Sequence, residues 1–243
     1  MKIIAVNYKS MVFTLLIFAL TALPLQAGTF DNLHFIGFSK DGKHMAFETY
    51  GTSDGSGHGY SAITLVNIAE NSWVPGGPIR AGTENDRYDE EVARARNRVQ
   101  AAPRLEALGI VDGATGDHVF SRRITDLTDY RGPIRFAKFL HSTYQEGDYE
   151  LHLQQKNARR ENCDVYAPPS RKIFTLSLKN RQANTTQILQ DDNRLPNSRH
   201  CPDRYEIADV YVSNKLLVVF LRMYGPGFEG PDMRYLAVTG VID

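Results

Sequence analysis

Along the chain, apolar and polar residues fall into three kinds of pattern. The first is a continuous apolar run from Met11 to Leu25, broken only by Thr14 and Thr21, behind a basic start at Lys2 and Lys9. The second is period-two alternation, the mark of half-buried strands. It runs over 33–38, 44–50, 60–68, 134–140, 149–155, 172–178, 206–212, 216–224 and 235–242. Met45, Phe47 and Thr49 share one face of such a strand, and Ile63 and Leu65 share one face of the next. Within 216–224, Val218-Val219-Phe220 is continuously apolar, as a central strand buried on both faces would be. The third pattern, over 85–102, is helical. Tyr88, Val92, Ala95 and Val99 recur at helical spacing, with acids early and arginines late to suit the helix dipole. Pro103 is expected to end or kink this helix. The helix should lie on a sheet surface, with its arginines in solvent.

The N-terminal run reads as a signal peptide over residues 1–27. Basic, apolar and small residues follow in that order, with Leu25-Gln26-Ala27 before Gly28. The apolar part falls short of the roughly 20 residues that span a bilayer as a helix. An uncleaved anchor is the alternative. No later segment is long and apolar enough to cross a membrane. The remainder, 28–243, is expected to form one β-rich domain: mostly β, an antiparallel sandwich-like or partial-propeller arrangement with one surface helix near 85–102.

Charge narrows the partners. The whole chain balances 28 basic against 28 acidic residues, and loss of Lys2 and Lys9 leaves a net −2. Such a chain has no electrostatic footprint for nucleic acid. An envelope protein or a glycan is the partner expected of a binding or envelope-assembly module. Only Cys163 and Cys201 are present, both in polar, proline-flanked surroundings. An even pair in an exported chain points to one disulfide, and a loop of that length would stabilise by roughly 3–4 kcal/mol. A metal pair with His200 is the alternative reading.

Two glycine-rich stretches carry the candidate site. Thr52 to Gly59 holds Asp54, Ser56 and His58, preceded by Glu48 and Tyr50 and followed by Tyr60. Gly225 to Asp232 holds Phe228, Glu229 and Asp232. Glycine lets backbone approach a ligand closely. Alternating Asp54, Ser56 and His58 could converge on an ion or a sugar, and Tyr50 and Tyr60 could stack against one. A hydrolase reading would use Glu48 and Asp54; a calcium-stabilised module is a third. The spacing fits no EF-hand, no metal-binding helix and no nucleophile elbow, and nothing calls for a cofactor. Phe47-Glu48-Thr49-Tyr50-Gly51 followed by Tyr60 has a faint counterpart in Phe220 to Gly225 followed by Tyr235. That repeat would put the two loops at equivalent places. Trp73 reads as a residue of the core rim.

Phe38-Ser39-Lys40-Asp41-Gly42-Lys43 resembles the blade turn of Tol-type periplasmic β-propellers. The chain as a whole resembles a family of predicted secreted bacterial proteins of unknown function. That resemblance is carried by the leader, the Phe-Ser-x-Asp-Gly turn, the stretch from Phe47 to Ser61, and the closing Ala237-Val238-Thr239-Gly240. It implies export and supplies no catalytic residues.

Alkylating the exported protein without reductant should leave both cysteines unmodified in its mass spectrum. Two alkylated thiols would rule out the bridge.

Overall fold

The computed structural model describes residues 28–83, 89–126, 132–137, 148–158, 163, 171–199, 201–227 and 230–242. The leader, Phe228, Glu229 and His200 lie outside them. Thirteen strands form three antiparallel sheets, and the one α-helix among the described residues packs beside them.

The front sheet is built from β1 (Asn32–Phe38), β2 (His44–Thr52), β3 (Gly59–Asn67), β4 (Ser72–Trp73) and β5 (Ile79–Gly82). Its order is β1-β2-β3-β4, with β5 also pairing with β3. The helix α1 (Glu90–Ala107) follows, then β6 (Asp117–Ser121). The back sheet comprises β7 (Ile134–Phe136), β8 (Tyr149–Asn157), β9 (Lys172–Asn180) and β10 (Thr185–Asp191) as an ordered meander. The last three strands are β11 (Arg204–Ser213), β12 (Leu216–Pro226) and β13 (Pro231–Val241). They complete the central sheet in the order β13-β12-β11-β6. All nine stretches that alternate in sequence hold a strand; in the fourth it is Ile134–Phe136, and 138–140 lie outside the described residues. The architecture is mostly β and sandwich-like, with no closed barrel.

The central sheet earns its name by burying both faces. On one side Tyr205, Ile207, Val210, Leu217, Val219 and Leu221 meet Phe174, Leu176, Leu151 and Phe136 of the back sheet. On the other, Val218 and Phe220 meet Phe35, Phe38, Met45, Phe47 and Val66 of the front sheet. Phe220 makes edge contacts with Phe35 and with Phe47, each at 5.4 Å between ring centroids. Leu217 through Leu221 are each 0% exposed, which accounts for the unbroken apolar run in β12.

Asn71 pins all three sheets together. It sits at positive φ (47°) in the turn between β3 and β4. Its amide nitrogen donates to Gln190 Oε1 at 2.7 Å on β10, and its Oδ1 accepts the Thr239 backbone N–H at 2.8 Å on β13. Cys163 and Cys201 are bonded to each other, with 5.9 Å between their Cα atoms.

The far face of the front sheet packs on α1. Here the expected helix needs three corrections. The helix starts at Glu90, with Asp89 as its N-cap accepting from the backbone of Glu91 and Val92. It runs through Pro103 to Ala107. Proline deprives the Val99 carbonyl of its helical donor, but Val99 is 76% exposed, on a side where water can replace it. The buried stripe is Ala93, Asn97 and Ala101, not Val92, Ala95 and Val99. Small residues win that face because the helix lies close on β3. A Cβ on Gly59 would come within 2.6 Å of the Asp89 carbonyl oxygen.

One arginine departs from the expected solvated face: Arg94 is turned onto the front sheet, while Arg96 and Arg98 stay exposed as expected. Arg96 donates to the Gly82 carbonyl at 3.2 Å, and Arg104 to that of Pro75 at 2.6 Å. Arg94 makes a two-pronged pair with Glu48, Nε to Oε1 at 3.2 Å and Nη2 to Oε2 at 3.1 Å. Glu48 is 0% exposed. Its Oε1 also accepts from Ser61 Oγ at 2.9 Å, and Asn97 donates to that same Ser61 oxygen at 2.8 Å. The guanidinium of Arg94 covers the Tyr50 ring at 3.7 Å.

Removing one partner of such a pair strands the other's buried charge, which costs about 3–5 kcal/mol. Urea unfolding should therefore show a loss of about that size for Glu48→Ala. A comparable loss should follow Arg94→Ala, with the double variant little worse than either single one. Val99→Ala on the exposed helix face should stay within about 0.5 kcal/mol of the parent.

Candidate functional site

The start of the described chain joins the two glycine-rich stretches. Residues 29–31 lie against the edge of β13, with a parallel bridge between Phe30 and Met233. Met233 N–H donates to the Thr29 carbonyl, and Asp31 N–H donates to the Met233 carbonyl, both at 2.9 Å. Thr29 also bonds both loops. Its N–H donates to Asp232 Oδ1 at 2.9 Å, and its hydroxyl oxygen accepts the Asp54 N–H at 3.1 Å. The two loops thus meet through Thr29 at one edge of the molecule.

Past Thr29, Asp31 turns into the seam between front and central sheets, where it is 6% exposed. Its carboxylate accepts a short hydrogen bond from the Tyr60 hydroxyl and the backbone N–H of Tyr235. Gly51 makes room for that contact, since a Cβ there would sit 3.0 Å from the Tyr60 oxygen and 3.1 Å from the Phe30 carbonyl oxygen. Burial pushes the Asp31 carboxyl above its ordinary value, and the Tyr60 hydrogen bond and the Arg234 charge only partly oppose it. Burial and the Asp31 charge together raise the Tyr60 phenol. Tyr235, raised chiefly by burial, takes a long contact of 3.5 Å from Arg222 Nε. Arg222 in turn lies 3.6 Å from Glu206.

This polar seam opens into a cleft of about 710 Å³. One wall is the front sheet, with Tyr60, Ala62, Thr64, Trp73 and Arg80. The other is the edge strand β13, with Arg234 to Val238. Gln190, Pro196, Ser198 and Arg199 of the back-sheet side close the end. Trp73, expected at the core rim, is 48% exposed over this space. Arg199 is committed to Asp192, with its guanidinium 4.6 Å from the centre of the Phe174 ring. Arg234 contacts Asp232 at 3.3 Å. Arg80 is exposed and has no ion-pair partner among the described residues. A second depression of about 950 Å³ adjoins it at Gln190 and Pro196, lined by residues 156–157, Ile173 and 190–197 and by no aromatic ring.

The residues singled out in the sequence fall into three places. Tyr60 lines the cleft; Asp232 by its carboxylate and Asp54 by its backbone N–H bind Thr29, which does not line it. Ser56 and His58 are exposed, and Ser56 Oγ accepts the His58 N–H at 3.3 Å within its own turn. Glu48 and Tyr50 face α1 on the opposite side of the sheet. Neither Glu48 nor Asp54 lines the cleft. Among the described residues no group of three or more His, Cys, Asp or Glu side chains could hold a metal ion. Asp31, Trp73, Arg80, Arg234 and Tyr235 are the site residues that sequence reading missed. The repeat pairing Tyr60 with Tyr235 was the one signal that could have found any of them.

The geometry defines a class: an antiparallel β-sheet protein with an aromatic- and arginine-lined cleft between its sheets. The chain belongs to the family described as predicted secreted protein (DUF2259), whose profile matches residues 46–240. No curated protein matches it. Secretion is the location that the family description gives. No described helix is long and apolar enough to cross a membrane.

Asp31 yields a signed pH dependence. Its ordinary value is 3.8 and its folded value is higher. Between the two, the folded state binds more protons than the unfolded chain, so this group's contribution to stability falls as pH rises through that interval. Asp31→Asn should remove that decline. Melting temperatures measured from pH 3.8 upward should fall less steeply for the variant than for the parent. Equal slopes would show that Asp31 ionises as freely folded as unfolded.

Proposed function

We propose that the protein is an exported binding module of the periplasm or extracellular space, and that the cleft between its sheets is the ligand site. One observation carries this reading: Tyr60, Tyr235 and Trp73 converge with Arg80 and Arg234 on one cavity of ligand size. An exposed tryptophan beside a cation that has no ion-pair partner among the described residues is a costly surface for a merely structural seam. The same groups suit a ligand with a flat or apolar face and a negative charge. Asp54 and Asp232 act on this reading as supports, fixing residues 29–31 against β13. The envelope supplies ligands of the matching kind, on proteins and on glycans.

Trp73 is the only tryptophan in the chain and lines the cleft, so its fluorescence reports occupancy directly. Titrating the protein with envelope saccharides and with short acidic peptides should give a saturable emission shift for at least one of them. Arg80→Ala should weaken that binding by about tenfold, the usual worth of one charge-assisted contact. Val99→Ser, on the exposed face of α1, should leave it unchanged. Trp73 emission that no member of the panel moves would refute the reading.

A further inference from the structure

Strand β13 is the outer strand of the central sheet, and its free side borders the cleft. Its hydrogen-bonding phase is fixed at three points. Met233 N–H and C=O point away from β12, to Thr29 and Asp31. Tyr235 N–H points the same way, to the Asp31 carboxylate, and Thr239 N–H does so to Asn71. Ile242 N–H, of opposite parity, points inward to the Lys215 carbonyl. Odd-numbered residues of β13 therefore present their backbone groups to the outer side.

Between the Asp31 plug and the Asn71 plug, the Ala237 N–H and C=O point outward. Neither has a partner among the described residues. Ala237 is part-exposed and lines the cleft. From Tyr235 to Thr239 the gap is roughly 13 Å, about four extended residues. The next rung of the same edge is already filled by added backbone, since 29–31 pair with Met233 in parallel. The open rungs thus continue an edge that demonstrably takes an extended chain.

We propose that the gap in β13 binds an extended peptide segment by strand addition, with an acidic residue of that peptide held by Arg80. The proposal rests on the cleft being the ligand site and names what fills it. A strand edge offers a donor and an acceptor at the spacing of another peptide backbone, which a saccharide does not reproduce. Alternate side chains of an added strand point to opposite walls. One set meets Tyr60 and Trp73, and the other meets Leu236 and Arg199. Arg80 is the cleft cation without a counter-charge among the described residues, so it selects an acidic residue.

The probe is a set of fluorescein-labelled hexapeptides of varied sequence, each with one Asp or Glu. They are read by fluorescence polarisation on the exported protein. The best binder is then remade with its acid changed to the amide, and with alternate backbone amides N-methylated. Binding should fall about tenfold for the amide form, and similarly when one alternating set of N–H groups is blocked but not the other. Ala237→Pro removes the outward donor without touching a bond to β12, so its melting temperature should hold while binding is lost. Should that variant fail to fold, the N-methyl series decides alone. Binding indifferent to both N-methyl sets, or to Ala237→Pro, overturns strand addition. No peptide binding, with a saccharide still shifting Trp73 emission, overturns this inference and leaves the cleft as a ligand site. Neither ligand class binding overturns both.

Discussion

Everything in this fold depends on β12 being buried on both faces. A strand in that position cannot alternate; it must be apolar throughout, and Leu217 to Leu221 satisfy this with no exposed surface at all. Each fully buried side chain of this kind contributes about 1.5–3 kcal/mol. The central sheet then needs a cover on each side, and the front and back sheets are those covers. On the front-sheet side, apolar packing ends where β12 changes character at Arg222. Beyond Phe220 the seam fills with Asp31, Tyr60, Tyr235, Arg222 and Glu206. Polar groups there must be paired to be tolerated, and paired groups hold the sheets at fixed separation without filling the space. The cleft is the consequence. Apolar packing brings two sheets together at one end, and a polar seam keeps them apart at the other.

The front sheet solves the opposite problem on its far face. There Glu48 and Arg94 form a buried pair between strand and helix. An apolar pair of equal volume would be as stable or more so, because desolvating two charges offsets most of their attraction. What the pair adds is position. A two-pronged contact, extended through Ser61 and Asn97, fixes both the height and the rotation of α1 on β2 and β3. Ala93 and Ala101, which are small and slippery, could not do so alone. The helix in turn supports β5 through Arg96 and Asn97, and β5 carries Arg80 into the cleft.

Sequence legibility followed the physics of each element. Strands with one buried face announced themselves by alternation, and β12 by its lack of it. Short edge strands did not. Ser72–Trp73 and Ile79–Gly82 pair over too few residues for a period to show, and Thr185–Asp191 is exposed almost throughout. The helix was visible but its face was misread. Hydrophobicity pointed to Val92 and Val99, whereas close approach to Gly59 selected Ala93, Asn97 and Ala101. The disulfide was legible because two cysteines in an exported chain have few alternatives. The site was legible only at Tyr60 and at the loops. Asp31 meets Met233 and Tyr235 from more than 200 positions away along the chain, and no local pattern records such a meeting. Asn71 looked like any turn residue, yet it joins three sheets.

The treatment of β13 separates accident from arrangement. A long exposed edge invites another sheet, and proteins blunt such edges with charges, plugs or covers. Here two of the outward N–H groups are capped by side chains, one by Asp31 and one by Asn71. The backbone of Thr29 caps a third. Ala237 holds an open rung that lines the cleft, between the front sheet and the segment 190–199. A second sheet cannot reach it, because the cleft walls stand in the way. A single extended chain can, because one strand needs only about 5 Å beside its neighbour. An edge that excludes sheets while admitting a strand is protected from aggregation without being closed to a partner, and the same cleft walls do both.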